Sequence, residues 1–404
     1  MPHDVLITGA KVVDGTGNPW FYGDVALTGD RISAVAPAGT IDPAEAREVV
    51  VADGMVVCPG FIDIQSHSLI PFFTDGRSVS KVTQGVTTEI MGEGWTPAPF
   101  GGRMDEGLRA FQAIPEADVD KVRSWSRFRD WMDDFSTRNI SVNFGSFIGG
   151  GTLRMYTKGW EMGDPTPDDL ATLRRVVAEA MQDGAFGVAT ALIYPPDAYN
   201  TNTELLAMCE VIAAHRGVYV THMRSEADTF LEELAATIDL ARQTGVALEL
   251  YHLKVAGKKN WHKMAEAIRM IDAARAEGLD VTADMYPYIA GGTGLASAFP
   301  NWAAADGKLI ENLRDPEMSE KIRMEMLEPT GGWEPLATLS GPEGVLIAQL
   351  QHPEHRKYMG KRLSEIAAER GQHWYDTMVD LVTAEEGWIF AIYFFADEAN
   401  LPLQ

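Results

Sequence analysis

The chain has 404 residues, of which 46% are hydrophobic and 23% charged, with a formal net charge of −24 and only two cysteines. The acidic balance argues against nucleic acid as a partner, because phosphate binding needs clustered Lys and Arg, and two cysteines exclude a disulfide framework. Neither a signal peptide nor an apolar run of about 18 residues is present, so we expect a cytoplasmic protein without membrane contact.

The first 58 residues are predicted to form a small β domain. Segments 4–17 and 23–39 alternate apolar and polar residues and end in Gly, Asp or Pro, a pattern typical of short strands joined by tight turns. We interpret residues 1–58 as a β-sandwich domain that is incomplete without a C-terminal segment. No catalytic residue type is arranged within it.

From residue 59 onward, short apolar strands alternate with amphipathic helices. In one such helix Leu170, Leu173 and Val177 share a face, and Gly184 ends it. This α/β alternation indicates a parallel sheet and favours a (β/α)8 TIM-like barrel over an open doubly wound sheet. The predicted barrel strands lie near residues 61–66, 86–92, 141–147, 186–193, 218–222, 247–252 and 281–286.

The strand–helix rhythm breaks after Tyr288. Residues 290 to about 385 are rich in Gly, Pro and charge, and such a length predicts an insertion or lid rather than a simple connection. One further strand, WIFAIYFF, is predicted at 388–395. We assign the whole of residues 59–404 to the barrel domain.

Polar residues that would be costly to bury follow the predicted barrel strands. In such a fold the active site lies at the C-terminal ends of the strands. These polar residues are Gln65, His67, Glu93, His222, His252 and Asp284. A single histidine at a strand end is more often a hydrogen-bonded rim residue than a ligand. His222 and His252, however, follow neighbouring strands, and converging imidazoles suit zinc, which also accepts a carboxylate and keeps one position open in catalytic sites.

Several segments, in order, resemble a known family. GFIDIQSH resembles the GFIDxHxH segment of the amidohydrolase superfamily, and QGVTTEIMGEG, FGVATALIYPP, VTHMRSE, YHLKVAGKKNW and ADMYPY resemble segments of its N-acyl-D-amino-acid deacylase branch. The resemblance implies a distorted (β/α)8 barrel in which a zinc-activated water hydrolyses the amide bond of N-acyl-D-amino acids. A small acylated amino acid is then the expected partner, and the sequence leaves the oligomeric state open.

The resemblance implies that His222 and His252 bind the tightly held zinc. Typical members supply a Cys where this chain has Glu93, so we expect Glu93 to replace it as an oxygen ligand. Gln65 and His67 stand in place of a histidine pair that serves a second, weaker metal, and an amide is a poor zinc ligand. We therefore expect one zinc per chain, with His67 either assisting or hydrogen-bonding at the rim; another divalent ion would also suit this donor set.

Substrate-binding candidates lie beside these ligands. Lys254 and Arg224 suit a substrate carboxylate. The hydroxyls of Tyr194, Tyr286 and Tyr288 suit a carbonyl oxygen that becomes an oxyanion, with ordinary core and rim packing as the alternative.

The family's general base is an Asp after strand 8. WIFAIYFF resembles the segment that precedes this Asp strand, so we expect strand 8 to be missing from this chain; if WIFAIYFF is itself strand 8, Asp397 is the carboxylate. Two other functions stay open. One is a cyclic-amide hydrolase of the dihydroorotase or hydantoinase kind, disfavoured because AFGVATALIYPP contains no Lys, and the other is a truncated barrel that binds metal or ligand without turnover.

Overall fold

The computed structural model describes residues 2–108, 114–331 and 333–404. The chain divides into two compact units, one made of Met1–Asp63 with Val79–Thr88 and the other of Ile64–Ser78 with Glu89–Gln404. Within the described ranges, no helix has the length and apolar character needed to cross a membrane.

The first unit is built on one five-stranded sheet. Its strands are β1 (His3–Val12), β2 (Phe21–Thr28), β3 (Arg31–Pro37), β4 (Ala46–Val51) and β5 (Val56–Val57). The order is β3-β2-β1-β4, with β5 also paired to β1; β1, β2 and β3 are antiparallel neighbours, and β4 and β5 run parallel to β1. The β character is confirmed, while the second sandwich layer and the boundary at residue 58 stay predictions.

Each position predicted as a barrel strand carries a strand. These are β6 (Phe61–Asp63), β7 (Val86–Met91), β8 (Asn143–Ser146), β9 (Ile148–Gly149), β10 (Gly187–Ala191), β11 (Val218–His222), β12 (Ala247–Leu250) and β13 (Val281–Ala283). The third predicted strand is split into β8 and β9. In the second unit β9 to β13 form a parallel sheet in chain order, so their carboxyl ends share one edge.

Helices alternate with these strands in the order of a (β/α)8 barrel. They are α1 (Pro71–Thr74), α2 (Val79–Val82), α3 (Met104–Leu108), α4 (Glu116–Ser124), α5 (Phe128–Ser136), α6 (Gly150–Thr157), α7 (Pro167–Gln182), α8 (Asn202–Ala214), α9 (Phe230–Thr244) and α10 (Met264–Ala276). In α7, Leu173 and Val177 are buried, as the periodicity predicts. Gly245 ends α9 with φ of 71°, a left-handed conformation that glycine adopts without steric cost. The apolar faces of α7 to α10 and the strands beside them form one core.

The predicted insertion is a folded α/β layer that continues past its predicted end at about residue 385 and includes the strand WIFAIYFF. It contains β14 (Ala290–Gly294), α11 (Leu309–Arg314), α12 (Pro316–Leu327), α13 (Leu336–Ser340), β15 (Val345–Leu350), α14 (Leu363–Arg370), α15 (Trp374–Ala384) and β16 (Ile389–Phe394). The three strands form an antiparallel sheet in the order β14-β16-β15. Ile347, Leu381 and Ala391 belong to its own hydrophobic core.

WIFAIYFF is therefore the central strand of this antiparallel sheet. The alternative that makes it the eighth barrel strand, with Asp397 as the catalytic carboxylate at its end, is wrong, because β16 pairs only with β14 and β15 among the described strands. The Asp397 carboxylate instead caps the short helix Glu398–Asn400 by accepting the Ala399 N–H at 3.2 Å.

Short 3-10 segments complete the connections. They lie at Pro43–Glu45, Asp197–Tyr199, Lys258–Lys263, Leu295–Ala298, Asn301–Gly307, Pro342–Gly344, Arg356–Tyr358 and Glu398–Asn400.

A buried carboxylate, Glu385, holds a loop of the insertion. It accepts hydrogen bonds from the Gln351 N–H at 2.6 Å and from His355 Nδ1 at 2.5 Å. Burial alone would raise the pKa of Glu385, but the hydrogen bonds from His355 and from the backbone of His352 and Gln351 outweigh it, so the pKa lies below its usual value. A carboxyl group with a depressed folded-state pKa stabilises the fold above its unfolded-state pKa, and this stabilisation is lost as pH falls through the folded-state pKa.

We expect Glu385→Gln to lower the free energy of unfolding clearly near neutral pH and progressively less below about pH 4.3, the ordinary Glu pKa. Urea unfolding of the protein and of the variant over this pH range measures the difference. Glu343→Gln, at an exposed position, is the matched control and should follow the unsubstituted protein throughout. A difference that stays constant with pH would contradict the prediction.

Candidate metal centre

Three polar side chains converge from the ends of different strands. Glu93 follows β7, His222 ends β11 and His252 follows β12. One ligand-capable atom of each lies within 4.8 Å of the other two, and the side chains are only 6–8% exposed. Among the residues that the structure describes, this is the only such cluster of three or more His, Cys, Asp or Glu.

The two imidazoles turn different nitrogens towards the same oxygen. His222 Nδ1 lies 3.4 Å and His252 Nε2 lies 3.7 Å from Glu93 Oε1. The rings stand edge to face, with centroids 4.4 Å apart and planes at 84°. Two imidazole nitrogens and one carboxylate oxygen around one point suit a divalent ion that keeps a further coordination position open.

The second oxygen of Glu93 is occupied by the residues that replace the expected histidine pair. Gln65 Nε2 donates to Glu93 Oε2 at 2.7 Å, and His67 Nε2 lies 3.1 Å from the same atom. The His67 side chain is 74% exposed and does not belong to the three-residue cluster. Burial opposes ionisation of Glu93, but hydrogen bonds from His222, His252 and His67 hold its pKa well below the usual value.

The backbone of His252 is strained. Its φ of 38° lies in the left-handed region, which is costly for a residue with a Cβ. The His252 N–H donates to Asp284 Oδ1 at 2.5 Å, and the Leu253 N–H donates to the Asp284 carbonyl oxygen at 2.8 Å. Asp284, just after β13, thus supports a ligand from the neighbouring strand rather than joining the ligand set.

A second carboxylate lies behind the imidazoles. Glu226 Oε1 is 3.1 Å from His252 Nδ1, and Glu226 Oε2 is 3.6 Å from His222 Nε2. Lys254 Nζ lies 2.7 Å from Glu226 Oε1 and 2.7 Å from His252 Nδ1. Burial opposes ionisation of Glu226, but the charges of Lys254, His222 and His252 lower its pKa. The sequence prediction misses Glu226, for which the only signal is its place four residues after His222.

A cavity of about 430 Å³ lies over the cluster. Barrel residues form one side, and the insertion contributes Thr293, Leu336, Phe390 and Tyr393. Apart from the histidines, Lys254 is the only basic side chain in its described lining. The predicted insertion thus forms part of the cavity wall, and that wall is largely apolar.

Two of the three predicted tyrosines reach this cavity. Tyr194 is packed edge to face on His222, with centroids 5.5 Å apart, and the Tyr286 hydroxyl is buried without a hydrogen-bond partner among the described residues. Burial raises the pKa of both phenols, so each keeps its proton. Tyr288 is 68% exposed and does not line the cavity.

Arg224 is also absent from the cavity lining, which corrects the prediction that it binds a substrate carboxylate there. Its guanidinium donates to the carbonyl oxygens of Ala198, at 3.1 Å, and Asn200. The guanidinium N–H groups therefore hydrogen-bond to a loop of the barrel, and Lys254 is the basic residue that remains at the cavity.

Similarity to known proteins extends over nearly the whole chain. No family model matches it. The D-aminoacylase of Alcaligenes xylosoxydans xylosoxydans is 30% identical over 406 residues, which cover 99% of this chain and 72% of that protein. The N-acyl-D-glutamate deacylase of the same organism is 30% identical over 288 residues, covering 70% of this chain and 57% of that protein. A solved D-aminoacylase structure, from a study of its binuclear metal center, is 29% identical with a TM-score of 0.75, covering 99% of this chain and 73% of that one.

We expect the purified chain to retain about one equivalent of zinc, and Glu93→Gln and His222→Ala each to lose it, because each removes one of three ligands. Elemental analysis after exhaustive dialysis measures the metal content. His262→Ala, at an exposed position away from the cluster, is the control and should keep its zinc. An unsubstituted protein that takes up no divalent metal would contradict the assignment of the site.

Proposed function

The chain belongs to the N-acyl-D-amino-acid deacylase branch of the amidohydrolases, and we propose that it is a metal-dependent hydrolase of the amide bond of N-acyl-D-amino acids. The observation that carries this proposal is the meeting of Glu93, His222 and His252 beneath a cavity large enough for a small acylated amino acid. Zinc is the ion that we propose, at one per chain.

The proposed ion would be held by Glu93 Oε1, His222 Nδ1 and His252 Nε2. When bound, it supplies Lewis acidity that polarises the amide carbonyl and activates a water molecule. The protein contributes the buried setting, since side chains only 6–8% exposed keep bulk water away from the donor atoms. Asp284 contributes by holding the backbone of His252.

Substrate recognition is proposed for three residues of the cavity wall. Lys254 would bind the substrate carboxylate through its ammonium group. Tyr286 has a buried hydroxyl without a hydrogen-bond partner among the described residues, and a carbonyl oxygen that gains negative charge would provide an acceptor for it. Tyr194 offers a second hydroxyl in the same wall.

Both carboxylates of the described cavity lining are already engaged. Glu93 faces the two imidazoles, and Glu226 is bound by Lys254 at 2.7 Å. We therefore assign neither of them as the general base of the reaction.

The experiment is turnover of the zinc-loaded chain with N-acetyl-D-methionine, measured as release of the free amino acid. We expect zinc-dependent release that is lost in His222→Ala, with N-acetyl-L-methionine hydrolysed far more slowly. Hydantoin is the comparison substrate for cyclic-amide hydrolysis, which β10 disfavours because its sequence, GVATA, offers no lysine. Zinc binding with neither amino-acid release from the acyl amides nor ring opening of hydantoin would contradict the hydrolase proposal and leave a metal-binding barrel.

A second prediction concerns the number of metal ions. Gln65 donates to Glu93 Oε2, where a histidine ligand would favour a second ion. We expect Gln65→His to add a weaker second zinc equivalent, held with His67 and Glu93, because imidazole binds zinc far better than a neutral amide does.

Calorimetric zinc titration distinguishes the two stoichiometries. Gln65→Ala is the control, because it removes the amide without adding a ligand, and it should stay at one equivalent. Binding of two zinc equivalents per chain by the unsubstituted protein would contradict the single-ion proposal.

A further inference from the structure

Glu226 contacts both imidazoles of the metal cluster on the sides that face away from Glu93. Its Oε1 lies 3.1 Å from His252 Nδ1. Its Oε2 lies 3.6 Å from His222 Nε2, which is longer than a hydrogen bond, and this buried nitrogen has no hydrogen-bond partner in the described structure. One carboxylate therefore stands behind two rings whose other nitrogens point at a single oxygen.

This arrangement bears on the tautomers of the two rings. His222 can offer a lone pair at Nδ1 only if its proton is on Nε2, and His252 can offer one at Nε2 only if its proton is on Nδ1. Both protons would then lie on the sides that face Glu226. A carboxylate only accepts hydrogen bonds, so it favours these two tautomers over their alternatives.

Lys254 acts against the required tautomer of His252. Its Nζ lies 2.7 Å from His252 Nδ1, and an ammonium group can only donate. Alone, it would favour a lone pair at Nδ1, leaving the proton on Nε2, the nitrogen that must bind the ion. Glu226 Oε1 lies 2.7 Å from the same Nζ, so it offers Lys254 a different acceptor and His252 a place for its Nδ1 proton.

We propose that Glu226 is a positioning residue shared by both imidazole ligands, which fixes the metal-binding tautomers of His222 and His252. This inference rests on the metal ion of the proposed function. It adds to that function a residue that acts on the ion through its two imidazole ligands.

Glu226 is itself rigidly held. It is 4% exposed, and its carbonyl oxygen accepts the Ala256 N–H at 2.7 Å. Glu334, from the loop before α13, accepts the N–H groups of Glu226 at 2.8 Å and Ala227 at 3.1 Å through one carboxylate oxygen. The insertion therefore fixes the backbone that carries the shared carboxylate, which is what a positioning role requires.

Zinc affinity tests the proposal, measured by competition with a chromophoric chelator. We expect Glu226→Gln to bind zinc about 10- to 100-fold more weakly, because glutamine has one acceptor oxygen and adds a donor group. The double variant Glu226→Gln with Lys254→Met should recover part of this loss, since the donor that favours the wrong tautomer is gone. Glu385→Gln, a remote buried carboxylate, is the control for loss of a buried charge and should bind zinc as the unsubstituted protein does.

A spectroscopic measurement accompanies the affinities. The visible absorption of Co²⁺ in the zinc site should change in Glu226→Gln and stay unchanged in Glu385→Gln, with circular dichroism checking that each variant is folded.

The outcomes separate the two proposals. An unsubstituted protein that binds no zinc would overturn the proposed function. If it binds zinc and folded Glu226→Gln binds within twofold of it, the positioning role alone is overturned. Weakened binding without recovery in the double variant would overturn the tautomer argument, and weakened binding with recovery supports it.

Discussion

The meeting of one carboxylate oxygen with two imidazole nitrogens places strong demands on the structure around it. Glu93, His222 and His252 are almost fully buried, and an ionised carboxylate out of water is costly unless donors surround it. The parallel register of β11 and β12 brings the two histidines to one edge, and Gln65 completes the donors around Glu93. Asp284 then holds the strained backbone that aims His252 at this point.

Local patterns in the sequence predict much of this, because apolar strands and glycine-ended helices are short-range signals. The barrel strands and the ligand candidates Glu93, His222 and His252 can be read in this way. The residues that support the ligands cannot be predicted from local patterns. Glu334 hydrogen-bonds to Glu226 across 108 positions of the chain, and no sequence periodicity indicates that contact. For Arg224 the sequence predicts a role in the cavity that the structure does not support. Its position near a ligand in the sequence does not tell which way its guanidinium points.

Short apolar runs explain the ambiguity at the end of the chain. WIFAIYFF fits both a buried parallel strand and the centre of an antiparallel sheet, because its continuous apolar run does not show that Phe390 and Phe394 lie on an exposed face. The structure resolves the ambiguity through β14 and β15, which flank β16 and are separated from it by helices in the sequence. Pairing partners, rather than the composition of the strand, distinguish the two folds.

The bond between Glu334 and the backbone of Glu226 makes the insertion a structural part of the site as well as a wall of its cavity. Such a layer is not an exchangeable module. A chimera would take its insertion from a relative in order to change which side chains the cavity accepts. It would then also replace Glu334, the residue that holds the backbone of Glu226. Substitution of Glu334 would therefore disturb the site, whereas an exposed cavity side chain such as Phe390 can vary more freely than the segment that leads into α13.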